Sequence, residues 1–102
     1  MKKIILSADD NPKIYSVPDI VADNLDAYCF EFCENWIWKD PNGAKLLVDY
    51  DGRKCACYTD SDFIDYLNDW IFPDQKSTLV QELDCENDEI PEEYQSYPIF
   101  HF

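Results

Sequence analysis

Four thiols open the question of chemistry. Cys29 and Cys33 lie four residues apart in YCFEFCENWIW (28–38), and Cys55 and Cys57 lie two apart in KCACY (54–58). On a helix the first pair points one way, and on a strand so does the second. A helix packed on that strand would bring four sulfurs together, a metal site made of Cys29, Cys33, Cys55 and Cys57. Structural zinc, however, draws its ligand pairs from turns and knuckles at CxxC-like spacing. Neither spacing here matches that, nor the CxxC of thioredoxin-type redox sites. Both pairs sit inside apolar stripes, where a free cysteine behaves as a small hydrophobe. The expectation is therefore a packing contact of Cys29 and Cys33 against Cys55 and Cys57, reduced, with no metal and no cofactor. A cysteine-ligated structural metal or a thiol protein is the alternative.

Other chemistries find less. Nucleophilic catalysis needs a thiol or hydroxyl, a base and a group that orients the base. The single histidine, His101, stands between two phenylalanines at the end of the sequence, and nothing local pairs it with Cys85. With only Gly43 and Gly52, glycine-rich phosphate loops are absent. DYDG (49–52) resembles part of an EF-hand loop, but placing Gly52 sixth puts Leu47 first and Tyr58 twelfth, where acids are required. DCENDE (84–89) places Glu89 where that glycine belongs. Carboxylates are too many to single out an acid–base pair. No catalytic residue is assigned, and the expected class is non-enzymatic.

The elements that must carry these residues follow from pattern. KIILS (3–7) and KIYSV (13–17) read as strands around the turn-forming ADDNP. SVPD opens a helix over about 18–38, with Ser16 and Asp19 as a capping box and Pro18 in the first turn. Val21, Leu25, Tyr28, Phe32 and Trp36 recur at helical spacing, with Cys29, Cys33 and Ile37 in the neighbouring row. Residues 45–58 form a hairpin around Asp51-Gly52, pairing Tyr50 with Arg53, Asp49 with Lys54, Val48 with Cys55 and Leu46 with Cys57. Its expected core face is Leu46, Val48, Cys55 and Cys57. TDSD caps a second helix at about 61–72, whose apolar set is Phe63, Ile64, Leu67, Trp70 and Ile71. Residues 77–83 fit a helical turn or an edge strand equally. The acidic loop and aromatic ending (84–102) are expected to pack back on one domain spanning 1–102. The order implies an α+β fold, a small, mainly antiparallel sheet of the N-terminal strands and the hairpin, covered by two helices.

Charge carries the functional reading. The chain of 102 residues has a formal net charge of −14. Residues 1–59 hold 10 acids and 7 bases, whereas residues 60–102 hold 12 acids and the single base Lys76. Such a surface repels nucleic acid and anionic lipid and speeds encounter with basic proteins. Asp62, Asp65 and Asp69 form a helical row spaced by about 4.5–6 Å. Glu86, Asp88, Glu89, Glu92 and Glu93 follow in the acidic loop, and Tyr66 lies among the helical acids. Tyrosine beside carboxylates suits an Arg- or Lys-rich face. The expected function is an interaction module or inhibitor, of immunity or DNA-mimic type, that binds a basic protein. Imitating DNA requires the helical row and the loop to lie side by side. Free thiols and a start without a signal-peptide core point to the cytoplasm. Monomer and homodimer stay open, and a homo-oligomer burying its aromatic excess without any acidic-face partner is the third reading.

Overall fold

Strands β1 (Lys2–Ser7) and β2 (Lys13–Val17) pair antiparallel, Ile4 opposite Tyr15 and Ile5 opposite Ile14. The computed structural model describes residues 1–8, 11–85 and 89–102; Asp9 and Asp10 of the first turn, and Glu86 and Asp88 of the acidic stretch, lie outside the described residues. Two further strands, one on each side of this pair, complete a four-stranded sheet. Thr78–Glu82 forms β5, antiparallel to β2, which resolves the 77–83 ambiguity in favour of an edge strand. Ile99–His101 (β6) runs parallel to β1, so the aromatic ending does pack back, as a strand.

Alternation along the strands divides the sheet into two faces. Ile4, Leu6, Tyr15 and Val17 enter the main core with Phe32 and Phe63, while Ile5 and Ile14 form a second cluster with Leu83 on the other face. The main core is roofed by three helices: α1 (Asp19–Asp23), α2 (25–39) and α3 (60–71). The fold is α+β, as the element order implies. Among the described residues no helix is long and apolar enough to cross a membrane.

The helices depart from the expected pattern in two ways. The 18–38 helix is broken at Asn24, whose φ of −134° and ψ of 39° separate α1 from α2. Ser16 does not cap it, because Ser16 is held in β2 between Lys3 and Thr78; Pro18 occupies the cap position instead. Both long helices also widen into π-turns, over Glu31–Trp36 in α2 and Leu67–Ile71 in α3. A π-turn spaces equivalent side chains by five residues rather than by three or four. After Phe32 the next fully buried side chain is accordingly Ile37, and Trp36 is only half-buried. After Leu67 the inward position passes to Phe72, whose amide donates to the Leu67 carbonyl at 2.7 Å. Trp70 and Ile71, expected in the core, turn out to solvent.

The hairpin of β3 (Leu47–Tyr50) and β4 (Arg53–Ala56) has the expected register, and Asp51 (φ 53°) and Gly52 (φ 79°) form its two-residue turn. It does not join the main sheet but stands as a separate two-stranded sheet. Of the expected core face only Leu46 packs on the main core; along the two strands the buried side is the other one. Leu47, Ala56 and Tyr58 pack on the main core, while Val48, Cys55 and Cys57 are exposed. Ring area decides this: Tyr58 lies edge-on to Phe32 at 5.4 Å and to Phe102 at 5.6 Å, contacts that two small thiols cannot match.

Candidate functional site

Helix α3 is fixed at its start by a capping box. Thr59 is the N-cap, and the Asp62 carboxylate accepts from the Thr59 amide at 2.9 Å. The first helical residue, Asp60, is only 1% exposed and ties the helix to the sheet. The Tyr15 hydroxyl donates to Asp60 Oδ2, and Lys13 Nζ stands 3.5 Å from the same carboxylate. Phe63, Ile64 and Leu67 face the core, which leaves Asp65 and Asp69 on the solvent side. The Asp65 carboxyl is pushed above its usual range by partial burial, then by the charges of Asp69 and Asp62. The three expected carboxylates therefore do share one stretch of surface, close enough to repel one another.

The ring in that surface is not the expected one. Tyr66 is buried between α2 and α3, 4.8 Å from Trp36 and 5.1 Å from Phe32. Its hydroxyl is pushed up to about 12 by burial and by the Glu31 and Tyr28 side chains beside it. A partner cannot reach it. The exposed ring is Trp70, at 51% exposure, next in sequence to Asp69 and 6.3 Å from Trp36. Its exposure results from the π-turn, which no reading based on a 3.6-residue period reveals. The site is thus Asp65 and Asp69 with Trp70, and Asp62 at its cap end.

The second acidic stretch lies elsewhere. Glu89, Glu92 and Glu93 are exposed, but Ile90 and Tyr94 between and after them pack on Ile5, Ile14 and Leu83. That cluster occupies the sheet face turned away from the helices. Tyr94 and Tyr97 serve this packing, 5.9 Å apart. The helical row and the described part of the acidic loop are therefore on opposite faces of the sheet, and do not form one patch.

The thiols separate likewise. Cys29 is fully buried in the main core, and burial pushes its thiol far up. Cys33 is half-buried and burial pushes its thiol up, while the Tyr58 hydroxyl is pushed up to about 12, first by burial and then by the neighbouring Cys33. Cys55 and Cys57 project from the outer face of the hairpin, so the expected packing of the two pairs is not formed. His101 pairs with Ser7, Oγ to Nδ1 at 2.6 Å, across β1 and β6. Sequence spacing gives no sign of this pair, which is 94 residues apart and is created by the parallel register. Ser7 is 0% exposed, so its hydroxyl is not available to a substrate.

In comparisons with protein-family models, curated proteins and solved structures, nothing matches the chain.

Proposed function

We propose that this protein is a non-enzymatic interaction protein that docks a cationic segment of a partner protein on the exposed face of α3. The observation that carries this reading is the exposure of Trp70 directly after Asp69 in α3, a helix on which Asp62, Asp65 and Asp69 lie close enough to repel one another. A partner arginine or lysine would meet carboxylates and an indole face together, and tryptophan is the strongest aromatic acceptor of a cation. The carboxylates steer the encounter, and the indole contributes apolar area at contact. Partial burial of Asp65 beside two like charges supports the same reading, because a partner cation relieves that repulsion.

The separation of this face from Glu89–Glu93 favours docking of one cationic segment over imitation of a duplex, whose two phosphate rails need neighbouring acidic rows. An inhibitor acting in this way would cover a basic patch on its target without copying the shape of DNA.

The test uses Trp70 as its own reporter. Titration with an arginine-rich peptide should change the tryptophan emission of the wild-type chain at low salt and much less at about 1 M salt, where surface charges are screened beyond about 3 Å. Replacing Trp70 with Phe should remove most of the optical change while leaving salt-sensitive binding detectable by calorimetry. Binding that is insensitive to both salt and Asp69→Asn would refute the reading.

A further inference from the structure

The outer face of the hairpin holds two thiols for which the packing has no use. Alternation along β4 points Arg53 and Cys55 to the same side. Cys57 extends the row, because its amide donates to the Leu46 carbonyl at 2.8 Å and continues the ladder. Across from them stand Val48 and Tyr50, 47% and 74% exposed. Cys55 and Cys57 are both exposed, so nothing among the described residues covers the pair.

Two rises of a strand place their Cα atoms about 6.6 Å apart. That is near the upper limit for a disulfide, whose Cβ atoms must also close to about 3.8 Å. Side chains standing parallel on a pleated strand do not reach that geometry without distorting it. A single ion between the two sulfurs spans the gap with no such distortion. The choice of ion follows from the ligand count. Among the described residues no group of three or more His, Cys, Asp or Glu side chains could hold a metal. Zinc takes four ligands in a structural site. Two thiolates without further donors suit a soft ion content with two, and thiolate ligands select Cu(I).

We propose that Cys55 and Cys57 form a two-coordinate Cu(I) site on the outer face of the hairpin. On binding, each thiol releases its proton, two copper–sulfur bonds form, and the bis-thiolate complex carries one negative charge. Arg53, next in the row, offsets that charge. Among the described residues of the hairpin, none places a carboxylate on this face: Asp49 points to the opposite side with Lys54, and Asp51 is in the turn. In a chain of net charge −14, this is a favourable surface for an anionic complex. The site is independent of the α3 face, and neither proposal depends on the other.

Anaerobic titration with Cu(I) against a chromogenic Cu(I) chelator tests it, with the whole chain under reducing conditions. One ion per chain should be withdrawn from the chelator. Cys55→Ser and Cys57→Ser should each weaken binding at least about tenfold, because either change destroys the chelate. The double variant should lose little more than a single one. Both side chains are exposed, so circular dichroism should show the variants folded. Cys33→Ser and Cys85→Ser should bind as the wild type does. Retention of copper by the double variant, dependence on Cys33 or Cys85, or copper-induced dimers in light scattering would each overturn the proposal.

Discussion

Asp60 is the residue on which the placement of the α3 face depends. A carboxylate 1% exposed must be compensated by donors, and the Tyr15 hydroxyl is one of them. Tyr15→Phe should therefore cost about 1–3 kcal/mol, the usual range for stranding a buried polar group. Urea denaturation should show it as a lower midpoint with an unchanged slope. Asp65 makes the opposite contribution. Its carboxyl is held above the usual range by partial burial and by the charges of Asp69 and Asp62. A raised acid costs stability once it is ionised. The penalty is absent below the unfolded-state value near 3.9, and it grows as pH rises through the raised folded value. Asp65→Asn should thus melt above the wild type at neutral pH, and the difference should vanish near pH 3. Little at this scale was legible beforehand. The helical spacing of Asp62, Asp65 and Asp69 could be read directly. The Tyr15–Asp60 and Ser7–His101 pairs could not, because their members are 45 and 94 residues apart and are joined only by strand register and helix docking.

Elements whose signal is local were readable almost residue by residue. Asp51-Gly52 sets the hairpin register, and TDSD supplies the cap of α3, because both act within four residues. The two π-turns were not readable, since apolar periodicity assumes 3.6 residues per turn and an inserted residue shifts everything after it. That shift converts Trp70 from expected core into exposed surface. The hairpin's buried side is not readable for a related reason: both faces alternate properly, and only the docking of Tyr58 against Phe32 decides between them. Gly43 shows how closely the end of α2 is packed. A Cβ there would lie 2.4 Å from the Trp36 carbonyl oxygen and 2.7 Å from Ile37 Cα, both backbone atoms that cannot step aside. Gly43→Ala should cost about 3 kcal/mol, at the upper end of overpacking penalties. Gly52→Ala has open space around it and only a left-handed backbone to strain, so about 1–2 kcal/mol is expected. Thermal melts of the two variants should rank in that order.

For the whole molecule, the concentration of charge in residues 60–102 is legible in the sequence, but its distribution in space is not. Asp62, Asp65 and Asp69 lie on α3, whereas Glu89, Glu92 and Glu93 lie on the far face of the sheet, because Ile90 and Tyr94 beside them pack on Ile5, Ile14 and Leu83. Net charge alone makes any such chain attractive to basic proteins, so general attraction has to be separated from a docking face. Two variants equal in charge do this. One carries Asp62→Asn, Asp65→Asn and Asp69→Asn on α3, and the other carries Glu89→Gln, Glu92→Gln and Glu93→Gln on the opposite face. Calorimetric titration of both with one arginine-rich peptide at low salt is the most direct measurement. Docking on α3 predicts that the first variant loses at least tenfold in affinity while the second stays close to wild type. Equal losses in the two variants would contradict it, and would reduce the acidic surface to a general attraction with no assigned face.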